Sequence, residues 1–167
     1  PGVDTKAGSV TARYMKITFT DTQGQGGSLY EFKVYGAPVL LSQGKTATAS
    51  SVYSASYDAA KAVDGDAGSR WAQASGAADP SWLKVDLGDQ YQISSVNTSA
   101  YLLTGLGVKY KIEYSTDDST YSMYADKTGS FSTPGVDTKA GSVTARYMKI
   151  TFTDTQGQGG SLYEFKV

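Results

Sequence analysis

Apolar and polar residues alternate along several short runs of the chain. In WLKVDLG (82–88), Leu83, Val85 and Leu87 fall on one face. In YKIEYS (110–115), Tyr110, Ile112 and Tyr114 do the same. In YMKITFT (147–153), Met148, Ile150 and Phe152 share a side, with Tyr147, Lys149 and Thr151 on the other. YEFKV (163–167) turns Tyr163, Phe165 and Val167 inward and Glu164 and Lys166 outward. A period of two is the mark of half-buried antiparallel strands. Turn-rich stretches such as TDDST, ASGAADPS and TDTQGQGGS separate the runs. Short strands with this punctuation predict an all-β sandwich or jelly roll. Trp71 and Trp82 belong to its core, Trp82 at the sandwich edge because it lies opposite the Leu83 face. One stretch reads as helix: in SYDAAKAVDG, Ser56 caps a single turn near 57–62 and Gly65 ends it.

The pattern also repeats as a whole. Residues 1–34 and 134–167 are the same 34 letters without one difference, a period of 133 residues (134 − 1). The chain therefore holds one full unit and a second copy of its last part. YGAPVLLSQ follows the first copy, and its Ala-Pro step reads as a linker over 35–41 leading into a domain at 39–167. Residues 1–34 are then the tail of a preceding identical unit. Read the other way, residues 1–133 form a circular permutant with the linker as its joint. One core has one place for the segment, so the surplus copy is disordered, packed elsewhere or given to another molecule.

Composition narrows the function classes. Fifteen basic and 16 acidic side chains leave a net charge of −1, with no basic patch for nucleic acid and little to draw the chain to an anionic membrane. There is no histidine and no cysteine. This removes imidazole acid–base chemistry, thiol catalysis, zinc–thiolate sites and disulfides. No apolar run approaches the ~20 residues of a membrane-spanning helix, and no signal peptide is present. The adjacent acids Asp117 and Asp118 lie in a turn, not facing each other across a cleft at the roughly 5–10 Å a glycosidase needs. No catalytic residues are expected.

Four stretches in fixed order carry a resemblance: TATASSVYSASYDAAKAVDGDAGSRWA, PSWLKVDLG, YKIEYSTDDSTYS and ARYMKITFTDTQGQGGSLYEFKV. Together, over about residues 40–167, they resemble the discoidin or coagulation factor type C superfamily, and most closely its family 32 carbohydrate-binding modules. The resemblance implies an eight-stranded antiparallel jelly roll with its chain ends close together. It also implies sugar-binding loops at one end and a structural calcium nearby.

KAVDGDAGS (61–69) gathers carboxylates and a hydroxyl around two glycines. Calcium takes six to eight oxygens at roughly 2.3–2.6 Å, mixing carboxylates with backbone carbonyls. The loop alone fits an Asp-Gly turn with solvated acids equally well. The resemblance assigns backbone carbonyls to Lys61 and Asp66 and a carboxylate to Asp64. It assigns both carbonyl and hydroxyl to Ser69, where the family usually has threonine. Glu164 supplies the closing carboxylate, with the Tyr163 carbonyl beside it. Tyr30 and Glu31 are their twins in the first copy.

A sugar site needs an aromatic platform for C–H faces and a few polar groups for hydroxyls. The loop residues of those types are Tyr53, Tyr57, Gln73, Tyr101, Gln156 and Gln158. The family's galactose readers include a histidine and an arginine. This chain lacks the first, and its Arg70-Trp71 pair matches the family's internal packing pair, so no particular sugar carries over. Leu102, Leu103 and Leu106 around the YLLTGLG turn predict burial or a contact between units.

The expected function is a non-catalytic, extracellular bacterial carbohydrate-binding module with a structural calcium, one unit of a tandem array. Its partners are a polysaccharide or glycan and neighbouring identical units. The alternatives are a structural brick of an extracellular fibre or adhesin, and an engineered terminal duplication of such a module.

Overall fold

The computed structural model describes residues 14–24, 26–30, 32 and 39–167. The chain divides into two compact units, Pro1–Pro38 and Val39–Val167. In the first, none of the described residues belongs to a strand or helix. Glu31, the first copy's carboxylate candidate, lies outside the described residues, as does most of the linker.

The second unit is built from seven strands: β1 (Thr46–Ala49), β2 (Trp71–Ala72), β3 (Ser81–Ala100), β4 (Val108–Ser115), β5 (Ser122–Ser132), β6 (Val136–Asp154) and β7 (Ser161–Lys166). All pairings are antiparallel. β3 and β6 are long because each serves two layers. The first half of β3 lies between β1 and the second half of β6, which continues to β4 and β5. The second half of β3 lies between β7 and the first half of β6, with β2 on the outer edge of β7. The resemblance implied eight strands; there are seven because β3 and β6 each run without a break through both layers.

The bend in β3 falls between Asp86 and Tyr91, where the register with β6 shifts. Gly88 has φ +88° there, a conformation that suits glycine. Arg146 grips Asp86 in a fork, Nε to Oδ1 at 2.8 Å and Nη2 to Oδ2 at 2.9 Å. This pairing is the main reason the Asp86 carboxyl sits below its usual range.

The core follows the alternation. Leu83, Val85, Leu87, Ile112, Met148, Ile150 and Phe152 are all buried, drawn together by the removal of apolar surface from water. Trp71 of one layer stacks on Phe152 of the other at 6.4 Å between ring centroids. Trp82 is half-buried.

Two local expectations change. In β7, Leu162 and Phe165 are buried, Tyr163 is half-exposed and Glu164 is buried, not outward. Leu162 stands opposite Ala100 and Glu164 opposite Ser99, so Tyr163 is the extra residue of a bulge. A bulge resets the phase of alternation. Near 57–62 there are two 3-10 turns, Ala55–Tyr57 and Ala59–Ala62. The cap of the second is Asp58, not Ser56: its Oδ1 accepts from the Ala60 N–H at 2.6 Å. Asp58 sits two residues before the amide it binds, the reach an Asx side chain spans.

One buried polar cluster ties β4, β5 and β6. The Tyr110 hydroxyl donates to Asp137 Oδ2 at 2.9 Å, and Lys127 Nζ lies 3.6 Å from Asp137 Oδ1. Burial, then the bonded carboxylate, push the Tyr110 hydroxyl well above the usual tyrosine range. Tyr110→Phe leaves that carboxylate short of a donor and is expected to cost about 1–3 kcal/mol. Urea unfolding measures it; an unchanged midpoint removes the cluster from the stability argument.

Candidate functional site

The strand register brings three loops together at one end of the sandwich. Leu162 of β7 lies between Trp71 of β2 and Ala100 of β3. The residues just beyond these positions therefore meet. The Tyr101 N–H donates to the Ser161 carbonyl at 3.1 Å, and the Tyr53 N–H to the Ala72 carbonyl at 2.8 Å. Between them opens a cavity of about 500 Å³.

Tyr53, Tyr57 and Tyr101 line it, with Arg70, Gln73, Asp79 and Gln158. Tyr53 and Tyr57 meet edge to face at 5.5 Å. The Arg70 guanidinium lies over two rings, 4.8 Å from the Tyr57 centroid and 4.1 Å from the Tyr101 centroid. Arg70 Nη1 donates to Ser161 Oγ at 2.6 Å, and that hydroxyl donates to the Trp71 carbonyl at 2.7 Å. Arg70 forms no ion pair among the described residues. Four of its five N–H donors are thus left for other partners.

Arg70 is the residue that sequence reasoning misplaced. Its neighbour Trp71 packs inside, but the strand turns Arg70 the other way, into the cavity. A signal existed, since it is the one arginine outside the repeated segment. Asp79 also escaped notice. Its Oδ2 accepts from the N–H and hydroxyl of Thr155, at 2.8 and 2.9 Å, and Oδ1 is buried without a partner.

The glutamines are occupied within the chain. Gln73 donates to the Ala77 carbonyl at 2.6 Å and accepts from the Gly160 N–H at 2.8 Å. Gln158 accepts from the Leu103 N–H at 2.8 Å, and Gln156 donates to the Gly107 carbonyl at 3.0 Å. These bonds tie the 155–160 loop to the 73–79 and 101–107 loops. Gln158 lines the cavity; Gln156 does not. Leu102 packs on the core, and Leu103 remains exposed.

A second hollow shares Tyr57 and Arg70 with the first and reaches Ser69 and Tyr163. It leads to the 61–69 loop. There the Ser69 hydroxyl oxygen lies 2.7 Å from Asp64 Oδ2, 3.3 Å from the Asp66 carbonyl and 3.5 Å from the Lys61 carbonyl. Such spacings suit oxygens that each stand roughly 2.3–2.6 Å from one ion. Glu164 faces the same loop, with Oε1 buried and unpartnered. Burial raises its carboxyl above the usual range; Lys166 pulls it down, Asp64 and Asp66 push it up again, and a bond from the Gly65 N–H opposes them. A buried carboxylate oxygen without a partner is costly, and a hard cation relieves that cost. Tyr163, the bulge residue, is left out of the ladder beside it. The residues present thus fit calcium: two carboxylates plus carbonyl and hydroxyl oxygens. Among the described residues no group of three or more His, Cys, Asp or Glu side chains is gathered, so backbone oxygens would have to complete a calcium sphere here. In the first copy, Tyr30 is exposed.

Asp117 and Asp118 form no facing pair. Asp117 accepts the Ser119 and Thr120 N–H groups at 2.9 Å each, and Asp118 pairs with Lys84 at 2.6 Å. Among the described residues no helix is long and apolar enough to cross a membrane.

Comparison with known proteins agrees with this architecture. Residues 46–165 match the F5/8 type C domain. Chitosan-binding module 1 of the chitosanase/glucanase from Paenibacillus sp. IK-5 is 30% identical, with a TM-score of 0.69, over 77% of this chain and 98% of that one. Chitosan-binding module 2 of the same enzyme, in complex with chitotriose, is 30% identical at a TM-score of 0.66, over 75% and 96%. The family 32 carbohydrate-binding module of Clostridium perfringens NanJ, in complex with galactose, is 25% identical at 0.63, over 73% and 91%. No curated protein sequence matches the chain. The jelly-roll sandwich, the loop-end cavity and the family match over 46–165 together establish that the chain belongs to the F5/8 type C domain family, in its carbohydrate-binding branch.

Proposed function

We propose that residues 39–167 form a non-catalytic module that holds a glycan in the cavity between Tyr53, Tyr57 and Tyr101, with Arg70 as its polar reader. One observation carries this: a guanidinium without an acidic partner, fixed by Ser161 and bracketed by two tyrosine rings, in the wall of a 500 Å³ cavity. The rings offer faces for sugar C–H groups, and the remaining Arg70 donors suit hydroxyl or carboxylate oxygens. Both are held before a ligand arrives, which lowers the ordering cost of binding. The sugar-bound relatives support the ligand class.

Arg70 also sorts the candidates. A fixed positive charge repels the ammonium of glucosamine, and both oxygens of Asp79 are out of reach, one bonded to Thr155 and one buried. The module therefore prefers neutral or acidic glycans to chitosan. Affinity electrophoresis against a panel of galactosides, pectin and chitosan tests this. Arg70→Ala is expected to weaken binding at least tenfold while leaving the melting temperature nearly unchanged. Silence against the whole panel ends the proposal.

Calcium at Asp64, Ser69 and Glu164 is part of the same reading. Its charge balances the acids, and its carbonyl ligands fix the 61–69 loop under Tyr57 and Arg70. The exact repeat supports an array of identical units in an exported protein, each unit adding a binding site.

A further inference from the structure

We propose that the place filled by β6 and β7 is a binding site for either copy of the repeated segment, so that residues 1–34 compete with 134–167 for it within one chain. The two copies are chemically identical. Their surroundings are not. Met148, Ile150, Phe152, Leu162 and Phe165 are at most 1% exposed, whereas their twins Met15, Ile17, Phe19, Leu29 and Phe32 are 46–51% exposed. The first copy thus carries the full set of side chains that the site buries, in the same order.

The connection permits the exchange. Leu41 donates its N–H to the Val167 carbonyl at 2.7 Å, and Ser42 Oγ accepts the Val167 N–H at 3.0 Å. With the first copy in place, Val34 takes the position of Val167 and stands next to Leu41. Residues 35–40 then only have to close a loop between neighbouring points, well within their reach of roughly 20 Å. The other closure uses the connection from Ser132 at the end of β5 to Val136 at the start of β6. Both bury the same groups and make the same pairs. They differ chiefly in the loop that closes, and doubling a loop's length costs about threefold in the equilibrium. The copy at 134–167 is therefore preferred by on the order of threefold. A segment tethered this closely has an effective concentration on the order of millimolar, so it outcompetes a second chain in dilute solution.

The test uses the full chain with Phe19→Asp, Phe152→Asp and both together. Trp71 and Trp82 lie outside both copies and report on the core whichever segment fills it. Each single variant is expected to remain a monomer with a cooperative transition within a few degrees of the unsubstituted chain; the double variant is expected to lose it. Loss of the transition in Phe152→Asp alone overturns the proposal, as does a folded double variant. A folded Phe152→Asp found only as a concentration-dependent dimer overturns the closure within one chain. Hydrogen exchange supplies a second reading. Lys16→Arg gives the two copies different peptide masses, and each is expected to show a protected and an unprotected population. A wholly unprotected first copy contradicts the exchange.

Discussion

Calcium is expected to raise the melting temperature of this chain by on the order of 10 °C, and Asp64→Asn to remove the gain. The expected size follows from linkage: a ligand at a hundredfold excess over its dissociation constant stabilises by about 2.7 kcal/mol, and at a thousandfold by about 4.1. For a unit of this size each kcal/mol moves the midpoint by several degrees. The physical source is Glu164. Its Oε1 is buried without a partner and faces the loop of Asp64 and Asp66. Without a cation, those carboxylates repel one another, offset in part by Lys61, 3.4 Å from Asp64, and by Lys166 near Glu164. Thermal unfolding with chelator and then with excess calcium makes the measurement. Asp64 is the informative position because it has no twin. Glu164→Gln and Glu31→Gln, made separately, then report which copy closes the site. An identical midpoint with and without calcium disproves the metal assignment and leaves the cavity untouched.

Trp71→Ala is expected to cost about 3–5 kcal/mol, the range for truncating a buried aromatic residue. The indole is fully buried, stacks on Phe152, and donates its N–H to the Ser51 carbonyl at 3.0 Å. Its loss opens a hollow between the layers and orphans that carbonyl. Urea unfolding followed by circular dichroism reads the change; a loss under 1 kcal/mol contradicts the layer packing described here. The contrast with Phe152 is instructive. Both rings sit in one stack, yet Trp71 lies outside the repeated segment whereas Phe152 has a sequence twin in Phe19. Truncating Trp71 therefore cannot be rescued, whereas under the proposed exchange of copies a substitution at Phe152 is expected to be.

The strands over 82–88, 110–115 and 147–153 were legible in the chain because burial on one face imposes a period of two on the residues themselves. So was the family, through four stretches in fixed order, and so were the tyrosines of the cavity, which sit in turn-rich loops where aromatic side chains stand out. The absence of histidine and cysteine closed whole classes of chemistry before any fold was known. Other features depend on register, which no single stretch contains. The bulge at Tyr163 shifts Glu164 from the outer face to a buried one, and that shift turns an ordinary surface acid into an orphaned carboxylate. The direction of Arg70 depends on where β2 meets β7, 91 residues away in sequence. The glutamines read as polar, but their amides are committed to loops brought near by folding. The repeat shows the same division most plainly. One sequence of 34 residues is identical at both ends of the chain, yet Met148, Ile150 and Phe152 are core while their twins Met15, Ile17 and Phe19 are about half exposed.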